Sequence, residues 1–302
     1  MEVVITGSSG FIGKNLISYF LGLSIGAVPI TRNDLVQRKF GKIDKEDAIV
    51  HLAGKAHDLK NIAHPEEYYD VNYELTKDLY NAFLKSNAKK FIFISSVKAS
   101  ADQVEDILNE SHDPHPKTHY GKSKLMAEEY IQNQPLPLGK SFFILRPCMI
   151  HGPGNKGNLN LLYKLISKGI PYPLAAFENK RSFLSVENLC FVIRELLERD
   201  DIPSGIYNVS DDEALSTNAL IKLIAKASDR SPKLWKINPA LIRYIAKLGD
   251  ILKLPLNTER LKKLTENYIV DNTKIKQALG KDFPLNANDG IITTIKSFQK
   301  PN

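Results

Sequence analysis

Cysteine is almost missing from this chain. Only Cys148 and Cys190 occur in 302 residues. Two cysteines make no disulfide framework and have no metal-ligand spacing. Both are expected to be small buried apolar residues in a reducing cytoplasm, and no metal site is expected. Long apolar runs are missing too: no stretch reaches the 18 residues of a spanning helix. Leu16–Ile30 is apolar and lies near the N-terminus, but Glu2 and a strand precede it rather than a basic leader. Gly22, Gly26 and Pro29 interrupt it, so it reads as a helix, a turn and a strand, not a signal peptide. Internal repeats and low-complexity tracts are absent as well.

What is present is an ordinary globular composition, with 43% hydrophobic and 25% charged residues. The length allows a full α/β core and a smaller second unit. The net charge of +7 is uneven: residues 222–263 hold eleven Lys and Arg against three acids. Such a region suits a diphosphate ligand, and it could touch nucleic acid or anionic lipid, but a solvated basic face is its plainest reading. The expectation is no nucleic-acid partner, no stable membrane insertion, and no binding of Ala240–Leu252 to liposomes.

The stretch Val3–Gly13, VVITGSSGFIG, organises the rest. Val3, Val4 and Ile5 are a β-branched run typical of a strand buried on both faces. Gly7, Gly10 and Gly13 follow in GxxGxxG spacing and lead into an apolar helix over Lys14–Leu21. Strand, glycine turn and helix start together make an anion site. Gly7 permits the tight turn, Gly10 the approach of a pyrophosphate, and Gly13 the packing of helix on strand. Downstream, strand and helix signals alternate: strands at 27–30, 48–52, 90–95 and 141–145, helices at 66–85 and 120–133. That pattern is an α/β, Rossmann-type doubly wound parallel sheet. The 31–47 gap barely holds a helix and a strand, so a strand there is expected to be truncated or missing. Residues 1–153 are expected to form the dinucleotide-binding core. Residues 154–302 would form a smaller mixed α/β substrate domain with strands returning to the main sheet. Its expected elements are helices at 159–168, 188–198, 217–227 and 240–252, an extended piece at 182–186 and a strand at 206–209.

Tyr120-Gly-Lys-Ser-Lys124 opens the 120–133 helix, so Tyr120 and Lys124 share a face one turn apart. An ammonium beside a phenol favours the phenolate, which is expected to lower the pKa of Tyr120 and fit it for proton transfer. Ser95 and Ser96 stand at the C-terminal end of a strand, where open α/β sheets place their ligands.

In order, TGSSGFIG (Thr6–Gly13), HLAG (His51–Gly54), VN (Val71–Asn72), FISS (Phe93–Ser96), YGKSK (Tyr120–Lys124), RPCMIHGPG (Arg146–Gly154) and KRSFLSVENL (Lys180–Leu189) run from residue 6 to residue 189. The chain thereby resembles the extended short-chain dehydrogenase/reductases of the nucleotide-sugar epimerase/dehydratase group. FISSVK and GPGNKGN point toward UDP-N-acetylquinovosamine-type 4-ketoreductases rather than UDP-hexose 4-epimerases. The resemblance implies hydride transfer at C4 of a nucleoside-diphosphate sugar, a UDP sugar first among them, in cell-surface polysaccharide precursor synthesis. A redox-neutral 4-epimerase is the alternative, and a non-catalytic dinucleotide binder a weaker one.

The same resemblance assigns roles. Ser96, Tyr120 and Lys124 would be the catalytic triad. Gly7, Gly10, Phe11, Ile12 and Gly13 would hold the pyrophosphate. Leu52, Ala53, Gly54 and Pro147 would line the nicotinamide side, with Asn72, Ser95, Tyr120 and Lys124 around the cofactor. Ser96, Met149, Asn158 and Arg181 would meet the substrate, Arg181 clamping its diphosphate. A homodimer through the Glu66–Lys85 and Tyr120–Asn133 helices is also implied. Val97 and Lys98 stand where a 4,6-dehydratase carries Asp-Glu, so water loss is not expected. Met149 and His151 replace the epimerase Asn and Tyr. The cofactor is NADP or NAD. Arg32 at the end of the second strand favours a 2′-phosphate and NADP, while Asp34 keeps NAD open.

Overall fold

Strand β1 (Glu2–Thr6) lies one strand in from the edge of a six-stranded, wholly parallel sheet of order β2-β1-β3-β4-β6-β9. The computed structural model describes residues 1–55, 64–155, 157–254 and 256–299, without the side chains of Lys42, Lys45 and Asn158. From β1 the chain passes through α1 (Phe11–Phe20) to β2 (Gly26–Ile30) on one side. It then returns through α2 (Arg32–Val36) to β3 (Ala48–His51) on the other. No strand forms between β2 and β3: residues 31–47 hold only α2 and a short 3-10 turn, Gly41–Lys45. A long helical run follows, α3 (Pro65–Tyr69) and α4 (Leu75–Lys85), joined by a π turn over Asp70–Glu74. The sequence reads this run as one regular helix. Its interruption at Asn72 has consequences at the site.

Next come β4 (Lys90–Ile94), β5 (Ile107–Leu108), α5 (His119–Asn133), β6 (Ser141–Pro147) and β7 (Met149–His151). The second half holds α6 (Asn158–Ser167), β8 (Phe183–Ser185), α7 (Val186–Glu198) and β9 (Gly205–Val209), which adds to the edge of the main sheet beside β6. The last elements are α8 (Thr217–Ala227), α9 (Pro239–Leu252), α10 (Thr258–Thr265), β10 (Ile269–Val270), α11 (Thr273–Leu279) and α12 (Ala287–Gln299). Everything from α10 onward escaped the sequence reading, although Asn257 caps α10 and Gly280 ends α11 in the left-handed conformation.

Both sheet faces are covered, which is why the strands read as continuous apolar runs. Val3 and Ile5 face one layer, with Leu16 and Phe20 of α1 and Leu189, Val192 and Leu196 of α7. Val4 faces the other, with Leu79, Tyr80 and Phe83 of α4, Phe91 and Phe93 of β4, and Ala127 and Ile131 of α5. Removing a buried aromatic such as Phe91 or Phe83 from such a layer costs about 3–5 kcal/mol. A third cluster joins α6, α8 and α12, and a small fourth one joins Leu174, α9 and α10. Two short parallel pairs, β7 with β8 and β5 with β10, bind the second half onto the first. Among the described residues no helix is long and apolar enough to cross a membrane.

Candidate active site

The site begins where β1 and β3 end, because the chain leaves β1 toward opposite sides of the sheet and opens a crevice there. Gly7 turns at φ +70, and the Gly10 N–H donates to the Gly7 carbonyl at 3.0 Å. Gly13 packs so close that a Cβ there would lie 2.4 Å from the Gly7 carbonyl oxygen and 2.6 Å from the Ser8 Cα. Lys14 is the first residue of α1 to bond back to Gly10, so the N–H groups of Phe11, Ile12 and Gly13 have no helical acceptor. No side chain caps this helix and its first turn carries no acid. Free donors, a positive helix end and backbone without Cβ bulk fit the pyrophosphate of a dinucleotide.

The loop after β3 lies against this turn. A relay of hydrogen bonds holds it: Ala53 N–H donates to Thr6 Oγ1 (3.1 Å), and Thr6 Oγ1 pairs with His51 Nδ1 (2.7 Å). His51 Nε2 pairs with Thr76 Oγ1 (2.9 Å), which donates to the Asn72 carbonyl (2.8 Å). Since Thr76 Oγ1 spends its one proton on the Asn72 carbonyl, it accepts from His51 Nε2–H, and Nδ1 accepts the proton of Thr6 Oγ1. Burial, helped by the nearby charge of Lys124, lowers the His51 pKa to about 3, so the ring stays neutral. Asn72 completes the brace. Its Oδ1 accepts from Lys55 N (2.8 Å), and its Nδ2 donates to the Lys55 carbonyl (3.1 Å) and Ser123 Oγ (3.1 Å). The π turn lets one buried side chain reach both the Leu52–Gly54 loop and α5; such turns recur at functional sites.

Ser96, Tyr120 and Lys124 converge at the ends of β4 and α5. Ser96 hydrogen-bonds the Tyr120 hydroxyl. Its Oγ also accepts from Lys98 N (3.2 Å), capping the short turn Val97–Ala99. The approach depends on Gly121, whose Cβ would fall 2.4 Å from the Lys98 carbonyl oxygen. Asp102 secures the start of α5 by accepting from Lys117 N (2.6 Å) and Thr118 N (3.3 Å). Lys124 is buried, and its Nζ donates to the Ile94 carbonyl (2.9 Å) over the Phe93 ring. A Cβ on Gly54 would lie 3.1 Å from that Nζ, so the ammonium abuts the loop after β3.

The electrostatics correct one expectation. Tyr120 lies above the ordinary phenol range, not below it: burial outweighs the lowering by its bond to Ser96, and Glu128 adds to the rise. Lys124 is not the controlling charge, because its ammonium is turned to the Ile94 carbonyl. Burial lowers the Lys124 pKa to about 8, against the opposing pull of Glu128. Ser95, expected beside the cofactor, is buried and donates instead to Glu128, which takes Arg146 Nε (3.0 Å) and Nη2 (2.5 Å) on its other side. This buried Ser95–Glu128–Arg146 chain locks β4, α5 and β6 together.

On the substrate side, Pro147 ends β6 and Met149 opens β7, where it is partly exposed opposite Phe183. Arg181 lies two residues ahead of β8. Its Nη2 pairs with Glu266 (3.1 Å), while its buried Nε has no partner among the described residues. Lys98 reaches the same place, donating to the Asp102 carbonyl (2.7 Å) over the Tyr268 ring at 4.2 Å and feeling both Glu266 and Arg181. The sequence names Lys98 only as a departure from dehydratases; nothing in it signals the pairing with Arg181. Asn158 opens α6, but its side chain is outside the described part. Arg32 is exposed at the start of α2. Asp34 is drawn into a capping box, its Oδ2 accepting from Thr31 N (3.2 Å) and Oγ1 (2.8 Å).

The model of the NAD dependent epimerase/dehydratase family matches residues 3–210. The UDP-glucose 4-epimerase of Vibrio cholerae is 29% identical, over 100% of this chain and 96% of its own. The N-acetyl-alpha-D-glucosaminyl-diphospho-ditrans,octacis-undecaprenol 4-epimerase of Escherichia coli O157:H7 is 28% identical, over 98% and 94%. The fold is that of UDP-glucuronic acid 4-epimerase from Bacillus cereus, solved with NAD, at a TM-score of 0.75 and 20% identity over 99% of this chain and 100% of that one. Matched by the family model over more than half its length, this chain belongs to the NAD dependent epimerase/dehydratase family, as an NAD(P)-dependent enzyme of its nucleotide-sugar epimerase and reductase group.

Proposed function

We propose that this enzyme reduces the C4 ketone of a diphosphate-linked sugar, a UDP sugar in the first instance, in the synthesis of cell-surface polysaccharide precursors. The observation that carries the chemistry is the Ser96–Tyr120 hydrogen bond, which aims a phenol kept protonated by burial at an oxygen held in line with Ser96. The reductive direction rests on the likeness of the FISSVK and GPGNKGN stretches to 4-ketoreductases. The turn Gly7–Gly10 and the N–H groups of Phe11, Ile12 and Gly13 would hold the cofactor's pyrophosphate, with Lys124 beside its ribose. The bound nicotinamide supplies the hydride. Tyr120 gives its proton to the oxygen that becomes the C4 alkoxide. Ser96 holds that oxygen and Tyr120 in line, and its hydrogen bond stabilises the phenolate left behind. Arg32 at the start of α2, two residues past β2, with Asp34 engaged by Thr31, supports NADPH as the donor.

Arg181, with its unpartnered Nε, and the neighbouring Lys98 would read the diphosphate. The Vibrio cholerae and Escherichia coli relatives share a sugar diphosphate and differ in what lies beyond it, nucleoside or polyprenyl chain. A second reading, the redox-neutral 4-epimerase, is favoured by the named activities of these two full-length relatives. The same residues would then run in both directions. A homodimer would pair α4 and α5, which Tyr130 already ties together through Asn81 (2.7 Å). The deciding experiment is a panel of nucleotide sugars and their 4-keto forms with NADH and NADPH, read by absorbance and product NMR. One NADPH consumed per 4-keto sugar supports the reductase. Interconversion of C4 epimers without net consumption refutes it in favour of the epimerase.

A further inference from the structure

Helix α9 uses only part of its apolar surface inside the protein. Ile242, Ala246 and Gly249 form the inward row, packed with Leu174 and Leu261. Leu241, Tyr244, Ile245, Leu248, Ile251 and Leu252 are all exposed, Ile251 at 76% and Leu252 at 63%. At 100° per residue these six fall within a single sector about 120° wide, next to the buried row. The opposite side carries Arg243, Lys247 and Asp250. Lys236 precedes the helix, Lys253 follows it, and α10 packs against it with Arg260, Lys262 and Lys263. The nearby acids are engaged locally: Asp250 accepts from Thr258, and Glu259 pairs with Lys263 at 2.7 Å.

We propose that this face of α9 docks on an anionic lipid surface, the apolar stripe entering the headgroup boundary while the surrounding Lys and Arg meet lipid phosphates. Such a stripe beside a basic face is the pattern of a helix lying in a membrane interface. Charge decides between the occupants. A second copy seated on the stripe would press together two regions that each hold eleven cations against three acids, whereas an anionic bilayer complements them. From the sequence alone the expectation is the reverse, since a helix of this spacing ordinarily lies against its own core. The structure shows that only the row Ile242–Ala246–Gly249 does so. Docking is peripheral and goes beyond the proposed chemistry; it would bring the enzyme to sugars carried on lipid diphosphates.

The test is flotation of the full chain with phosphatidylcholine vesicles, with and without phosphatidylglycerol, and needs no turnover. Binding is expected only to the anionic vesicles, weakening with added salt. The double variant Ile251→Glu/Leu252→Glu is expected to bind at least about tenfold more weakly. Its unfolding midpoint should be unchanged, because both side chains are mostly in solvent. Failure of the wild type to float with anionic vesicles would overturn the proposal. So would concentration-dependent self-association in sedimentation that the double variant abolishes, which would assign the stripe to a second copy.

Discussion

Replacing Lys124 by Met should remove activity and, with it, a rise in stability that the wild type shows as pH climbs from neutral to alkaline. Lys124 is 4% exposed, and burial brings its pKa from 10.5 to about 8. At about 1.4 kcal/mol per unit, keeping it charged at pH 7 costs the folded state about 3 kcal/mol. Its hydrogen bond to the Ile94 carbonyl returns about 1.5–3 kcal/mol of that. The net change at pH 7 is therefore small, and the informative quantity is its pH dependence. Between about pH 8 and pH 10.5 the unfolded chain holds the Lys124 proton and the folded chain does not. Wild-type stability therefore gains from this group as pH rises through that window, and the penalty is fully present below it. Lys124→Met lacks the group, so any advantage it holds over wild type must shrink by about 2 kcal/mol between pH 7 and pH 9.5, or roughly 4 °C in Tm for a chain of this size. Urea unfolding of both proteins across that range measures the gap. A gap that does not move with pH would refute the desolvated ammonium and, with it, the placement of Lys124 behind Tyr120.

Tyr120→Phe should keep its fold and lose at least about 10²-fold in turnover, since it removes the proton donor and leaves the ring in place; near-normal kcat would dismiss the assignment. Gly13→Ala should abolish cofactor binding in a fluorescence titration, because the new methyl would fall 2.4 Å from the Gly7 carbonyl oxygen; unchanged Kd for NADH and NADPH would contradict the cradle. Arg181→Ala should chiefly raise KM for the diphosphate sugar, on the order of tenfold for a lost charge-assisted contact, with kcat less affected. A KM that stays put would show that Arg181 serves Glu266 alone.

Local patterns carried much of the architecture and half of the site. The Val3–Gly13 stretch, the alternation of strand and helix signals and the Tyr120–Lys124 spacing are short-range features, each needing only a few neighbouring residues to be read. So the parallel sheet, the glycine cradle and the candidate Ser96, Tyr120 and Lys124 were visible in the amino acids themselves. Tertiary structure decided what depends on distant partners. Ser95 turns to Glu128, 33 residues away, Lys98 shares its ground with Arg181 and Glu266, and the π turn at Asn72 is set by a loop and a helix on either side of it. The sign of the Tyr120 shift belongs here too: i to i+4 spacing brings a lysine onto the same face, but burial is a property of everything packed around the phenol. The α9 stripe makes the same point. Its periodicity is plain in the sequence, yet only the packed chain shows which third of the helix the protein keeps for itself and which it leaves to solvent.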